Sequence, residues 1–160
     1  MFSKAPQPSI QLLAGLGVQG DAHAGVRVQH RSRVAADPTQ PNLRQVHLMM
    51  AELLHELDVE PGALGENVTT QGLDLLALSR GALLQLGDLA VVEITGLRNP
   101  CVQIQAYRAG LLKQVVSTST DGTVVRRAGV MAVVVTGGPV APGDPVRITP
   151  PSVHVPLERV

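Results

Sequence analysis

The apolar positions along this chain change their period twice. Residues 9–14 hold a short apolar stretch (Ile10, Leu12, Leu13) that runs into glycines, as a strand does. Residues 15–41 carry glycine, charge and histidine with no sustained apolar period. They read as a long functional loop with at most a short strand at residues 26–28. Apolar residues return at Leu43, Val46 and Leu48, so residues 42–49 form a strand or the approach to a helix. Met50, Leu53, Leu54 and Leu57 then fall at helical spacing, with Glu52 and Glu56 on other faces, and Pro61-Gly62 stops the helix.

Beyond Gly62 the pattern is that of strands and turns. Short strands are expected at residues 67–70, 83–86, 89–95, 130–136 and 146–149. Residues 130–136 are almost continuously β-branched, which suits burial on both faces. Residues 99–116 read as one helix and residues 117–126 as a polar connection around Asp121-Gly122. Gly87-Asp88 and Gly143-Asp144 repeat one device, a turn in which glycine takes positive φ and aspartate caps. Many short strands joined this way favour a barrel over an open parallel sheet, and two helices interrupt it. The fold class is therefore mainly β with some α, as one domain over residues 1–149 followed by a proline-bearing tail, residues 150–160, draped or frayed.

Composition narrows the function. The chain is 44% hydrophobic, yet Phe2 and Tyr107 are its only aromatic residues, so the core is aliphatic and the stacking platforms for nucleic acid are missing. With 13 basic and 13 acidic residues the formal net charge is zero, which disfavours nucleic acid and anionic membrane as partners. No apolar run approaches the ~20 residues of a membrane helix, and residues 1–8 lack the apolar centre of a signal peptide. One cysteine excludes an internal disulfide, and the cytoplasm is the expected location.

That cysteine stands in Arg98-Asn99-Pro100-Cys101, the strongest local signal. Asn99 is a good N-cap and Pro100 suits the first helical position, which places Cys101 in a first turn. Unpaired N–H groups and the helix dipole stabilise a thiolate there, with Arg98 a second positive influence. The alternative is a buried cysteine packed as a small hydrophobe. Asp21 and His23 flank Ala22 in a glycine-bounded loop and would orient a ligand, or simply close a turn. Glu66 and Asn67 precede a strand, where they bind polar ligand edges or bridge backbone groups between loops. Arg126 and Arg127 are a bidentate clamp for a phosphate or a solvated pair, and Arg44 is a third candidate for an anion pocket. Gly15-Leu-Gly17-Val-Gln-Gly20 matches a dinucleotide fingerprint, but no helical period follows it, so no such site is assigned.

Taken in order, Gly20-Asp21-Ala22-His23, Arg44-Gln-Val-His-Leu48, Gly65-Glu66-Asn67-Val68, Leu86-Gly87-Asp88, Arg98-Asn-Pro-Cys101, Arg127-Ala-Gly-Val130 and Pro142-Gly143-Asp144 resemble the MOSC domain. That family is named for the C-terminal domain of molybdenum cofactor sulfurase. The resemblance covers nearly the whole chain, in the stand-alone bacterial form. It implies a distorted β-barrel with flanking helices and a cysteine, matched by Cys101, that carries sulfur or binds molybdenum in the pterin cofactor. Pyridoxal phosphate is attached to the family as a whole, but Lys4 and Lys113 are the only lysines and neither has a clear claim to a Schiff base. Relatives usually carry another strand before residues 2–4, so the barrel is expected to start late or lack an edge strand.

Three readings follow. In the first, Cys101 is a soft ligand to molybdenum, with Arg126, Arg127, Arg44 and His23 on the pterin phosphate, Asp21, Arg98 and Asn99 beside them, and Glu66 and Asn67 at the border. The reaction implied is reduction of N-hydroxylated compounds, with a separate electron-transfer protein as partner. In the second, Cys101 accepts sulfur as a persulfide from a cysteine desulfurase. In the third, the barrel is a non-catalytic interaction module.

Overall fold

The computed structural model describes residues 3–22, 24–27, 37, 39–100 and 102–160. Its strands are β1 (Ile10–Leu13), β2 (Gly17–Val18), β3 (Val46–Met50), β4 (Val68–Thr70), β5 (Leu83–Leu86), β6 (Ala90–Leu97), β7 (Val116–Thr118), β8 (Val124–Arg126), β9 (Val130–Thr136), β10 (Gly138–Val140) and β11 (Val146–Thr149). The helices are α1 (Ala51–Glu56), α2 (Val102–Tyr107) and α3 (Leu111–Val115), with one 3-10 turn at Leu75–Ala77. A curled six-stranded sheet, β11-β5-β6-β9-β3-β4, makes a half-barrel closed by a three-stranded sheet, β10-β1-β2. Only the β3–β4 pairing is parallel among these neighbours. The architecture is the mainly β barrel with flanking helices that the sequence implies.

Strand β9 feeds both sheets. It lies between β6 and β3, and the chain crosses to β10 at Gly137-Gly138, where a side chain on Gly137 would stand 2.8 Å from the Leu12 carbonyl. Glycine at this barrel corner lets β1 approach. Gln45 closes the seam from inside: its backbone N–H reaches Ala132 O, its Oε1 accepts from Val134 N at 3.0 Å and its Nε2 donates to Gly15 O at 3.1 Å. A buried amide with both ends satisfied costs little and fixes the register of two sheets at once.

The side-chain alternation of β3 divides the interior. Val46 and Leu48 join the barrel core with Leu12, Leu84, Leu86, Val92, Ile94, Val130, Ala132 and Val134. Met49, from the opposite face, joins Leu53, Leu54, Leu57, Leu64, Ile104, Leu111 and Val115 under the helices.

Several expectations are revised. The helix expected over residues 99–116 is two helices, because Gly110 takes φ 86° and α3 restarts after it. The polar connection of residues 117–126 contains a hairpin, β7–β8, whose turn is stapled by Ser119, Asp121 and Thr123. Helix α1 ends before Pro61: Asp58 adopts φ 54°, and Arg108, just after α2, covers the last carbonyls at Leu57 and Asp58. In the long loop, β2 forms early, and Arg27 pairs with Pro41 where the short strand was expected, while Val28 lies outside the described residues. The 150–160 segment is laid on the barrel, with Arg80 N bonded to Val155 O, Leu97 N to Glu158 O at 2.7 Å and Val160 N to Leu97 O. Of the two Gly-Asp turns, the second is capped as its residues suggest, Asp144 Oδ2 accepting from Ala141 N, and it packs directly on Gly87 of the first.

Candidate functional site

Strand β6 delivers the Arg98-Asn99-Pro100 segment at its far end, next to the turn that opens β9. Arg98 is buried, 6% exposed; its backbone N–H bonds Gly129 O at 3.0 Å and its guanidinium donates to Leu64 O at 2.6 Å. A charge-assisted bond of this length ties the exit of β6 to residues 62–67. Asn99 presents its side-chain oxygen to Arg126 Nε at 3.3 Å, across the end of β8. Cys101 and His23 lie outside the described residues. The helix that follows Cys101 is six residues long, so its dipole is smaller than that of the single helix expected.

The close approach behind this segment depends on Gly129. With φ 90°, a side chain there would come within 2.3 Å of Leu48 O and 2.9 Å of His47 Nε2. His47 is buried and its Nε2 stands 2.7 Å from Ala128 O, an arrangement that requires the proton on that nitrogen. Its backbone is held by Asn67, whose Oδ1 accepts from His47 N at 2.9 Å and whose N–H reaches His47 O at 2.8 Å. Asn67 thus performs the backbone bridging that its position suggested.

Glu66 does half of the same work. It is 3% exposed, one carboxylate oxygen accepts from Gly62 N, and the other, Oε2, has no partner among the described residues. Glu66 and Asn67 line a cleft of about 900 Å³ between residues 61–69, residues 4–11, residues 18–21 and the 140–142 stretch. Lys4 and Asp21 close one side of it as a 2.8 Å ion pair, with the Asp21 side chain 8% exposed. The Lys4 backbone crosses Gly62 so tightly that a side chain on Gly62 would sit 2.0 Å from Lys4 O.

The candidates therefore fall into two groups joined by residues 62–67. Arg98, Asn99 and Arg126 gather at the exit of β6, whereas Asp21, Glu66 and Asn67 gather at the cleft. Two arginines belong to neither. Arg127 turns away from Arg126 to pair with Glu56 at 3.3 Å and to bond Gln114 O at 2.9 Å, so the two side chains do not form one clamp. Arg44 lies before β3 with its N–H on Asn42 Oδ1 and is not among the residues lining the cleft. Lys4, Gly62 and His47 were missed. Lys4 sits in a stretch without period, and its partner is brought near only by folding; Pro61-Gly62 signalled a turn but not what crosses it. Among the described residues no three His, Cys, Asp or Glu side chains converge as a metal ion would require, and no helix is long and apolar enough to cross a membrane.

Known structures share this architecture. The YuaD protein from Bacillus subtilis is 21% identical, with a TM-score of 0.75 over 95% of this chain and 90% of its own. YiiM from Escherichia coli is 20% identical, with a TM-score of 0.58 over 92% of this chain and 65% of its own. YiiM from Geobacillus stearothermophilus is 20% identical, with a TM-score of 0.54 over 68% of this chain and 56% of its own. The chain thus spans less than two thirds of either YiiM protein, and at these identities the likeness is one of fold. No curated protein sequence matches the chain. Residues 40–147, more than half of it, match the MOSC domain, and they include the β6 exit, the Glu66-Asn67 pair and the Gly129 approach. The chain belongs to the MOSC domain family.

Proposed function

We propose that this protein binds the molybdenum cofactor at the exit of β6 through Cys101, and acts in the reduction of N-hydroxylated compounds with electrons from a separate donor. The observation that carries the reading is Arg126. It is half-buried, anchored at Nε by Asn99, and its terminal N–H groups have no partner among the described residues. A guanidinium held by one edge and open at the other fits a phosphate such as the pterin cofactor bears. Family membership and the position of Cys101 two residues after Asn99 support the same assignment.

In this reading Cys101 supplies a thiolate, the soft donor that a molybdenum centre prefers. Arg126 holds the phosphate, Asn99 orients Arg126, and Arg98 fixes the segment by its bond to Leu64 O. When bound, the cofactor supplies the two-electron chemistry that converts N–OH to N–H and water. The protein's part is to place one thiolate and one open cation at a fixed separation in a site partly withdrawn from solvent.

The test is native mass spectrometry with metal analysis on protein from a host that makes the cofactor, beside Cys101→Ser. Molybdenum and pterin are expected on the wild type and reduced at least ~10-fold in the variant, a loss of about 1.4 kcal/mol or more in binding. Equal loading of the two proteins would refute Cys101 as the ligand. An empty protein that gains about 32 Da on Cys101 from a cysteine desulfurase would transfer the cysteine's role to sulfur carriage.

A further inference from the structure

The outer face of the large sheet is apolar at positions where a barrel facing water alternates to polar residues. The strand registers set Leu83, Glu93 and Val133 side by side in one row, and Arg147, Gln85 and Val91 in the next. These side chains point away from the face of Leu84, Leu86, Val92 and Ile94, and Leu83, Val91 and Val133 belong to neither core. Val135, the extra residue where β9 bulges against β6, is 50% exposed beside them. Two charges interrupt this surface. Glu93 is partly buried between Leu83 and Val133, Arg147 is exposed on β11, and neither side chain has a hydrogen bond or ion pair among the described residues. We propose that this face is the contact of a two-fold symmetric dimer, in which Glu93 of each copy pairs with the partner's Arg147.

The charges select a second copy as the occupant. Glu93 and Arg147 lie two strands and two residues apart, about 12 Å at the spacings of a sheet. A two-fold axis in the plane of the contact, running between them, sets each Glu93 against the partner's Arg147. The same axis leaves Val91 close to it, against the partner's Val91. A surface that carries one charge of each sign at separate points is complementary to itself, which an isologous interface requires. The apolar residues supply the burial, and the two ion pairs fix the orientation and reject other registers. Charges that balance give nucleic acid or an anionic membrane no net attraction to this face.

The test is sedimentation equilibrium of the full chain over a range up to about 100 μM, with circular dichroism to check the fold of each variant. The wild type is expected to reach twice the chain mass, with a Kd of ~10 μM or tighter. Glu93→Arg and Arg147→Glu each set like charges against one another and should raise Kd at least ~10-fold. The chain carrying both reversals has opposite charges again and should recover the wild-type Kd. Val91→Glu places two carboxylates face to face at the axis and should disrupt the dimer by itself, a reading that does not require either charge reversal to fold. A wild type that stays monomeric throughout the range would overturn the proposal and leave the face to a partner of different sequence or to water. A dimer that every single variant leaves unchanged would overturn it too, as would a double reversal that fails to restore association. The readout is mass and not cofactor content, so this failure leaves the assignment of Cys101 standing.

Discussion

The barrel interior and the layer under the helices are both aliphatic, but different forces close them. Inside the barrel, Leu12, Val46, Leu48, Leu84, Val92, Ile94 and Val130 come from strands whose backbone groups are paired in ladders. The layer beneath is closed by helices of six, six and five residues, which are too short to persist without tertiary contacts. It is held by arginines instead: Arg98 on Leu64 O, Arg108 on Leu57 and Asp58, and Arg127 on Glu56 and Gln114. A ladder gains and loses its bonds cooperatively, while side-chain braces release one at a time. The Arg98-Asn99-Pro100 segment belongs to the second kind of structure.

The largest effects test this contrast directly. Leu84→Ala in the barrel and Leu111→Ala under the helices each remove a fully buried side chain and should each cost about 2–5 kcal/mol in denaturant unfolding. They should differ in hydrogen exchange. Leu84→Ala is expected to lower protection throughout β5, β6 and β9, whereas Leu111→Ala lowers it in α2 and α3 with β6 and β9 still protected. Identical exchange maps would break the distinction.

A smaller effect sharpens it. Arg98→Met keeps the bulk of the side chain and removes the bond to Leu64 O, with an expected cost of about 1.5–3 kcal/mol. Amides of residues 62–67 should exchange faster than those of β9, and uniform loss across the protein would mean that Arg98 braces the barrel instead.

The smallest effect lies on the exposed hairpin. Ser119 Oγ and Thr123 N–H donate to Asp121 and hold its carboxyl at about 2, below the ordinary aspartate value of 3.8. A depressed value means that the turn's contribution is complete above the ordinary value and is lost as pH falls through about 2. An NMR titration of the Asp121 carboxyl carbon should show that midpoint, and Asp121→Asn should leave global stability almost unchanged. A midpoint near the ordinary value would detach the turn from its staple.

How far the sequence carried depends on whether an element's cause is local. Strands β5, β9 and β11 were legible to the residue, because alternation or β-branching and their flanking turns are written within each segment. The break at Gly110 was not, since Leu111, Leu112 and Val115 continue a helical pattern and only the backbone angle divides it. The β7–β8 hairpin was not legible because its strands are three residues each and bury no face, with Val124 and Val125 exposed beside polar neighbours. At the candidate site, Glu66 and Asn67 were found together, but their division of labour depends on Gly62 and His47, which the chain separates from them. The divergence of Arg126 and Arg127 follows from Glu56 and Gln114, partners that no local spacing announces.

The docked final residues have a practical consequence for anyone attaching a label to this protein. Glu158 and Val160 lie against Gly96 and Leu97, with the Glu158 carbonyl 2.4 Å from where a Gly96 side chain would begin, and Lys4 is laid just as closely over Gly62. A dye, tag or surface tether joined at either place would press on the exit of β6 or on the rim of the cleft. The Asp121-Gly122 turn is exposed, stapled within itself and carried on a hairpin paired apart from both barrel sheets. A reporter inserted there would stand clear of the cleft and of the docked final residues, on the hairpin whose second strand ends in Arg126.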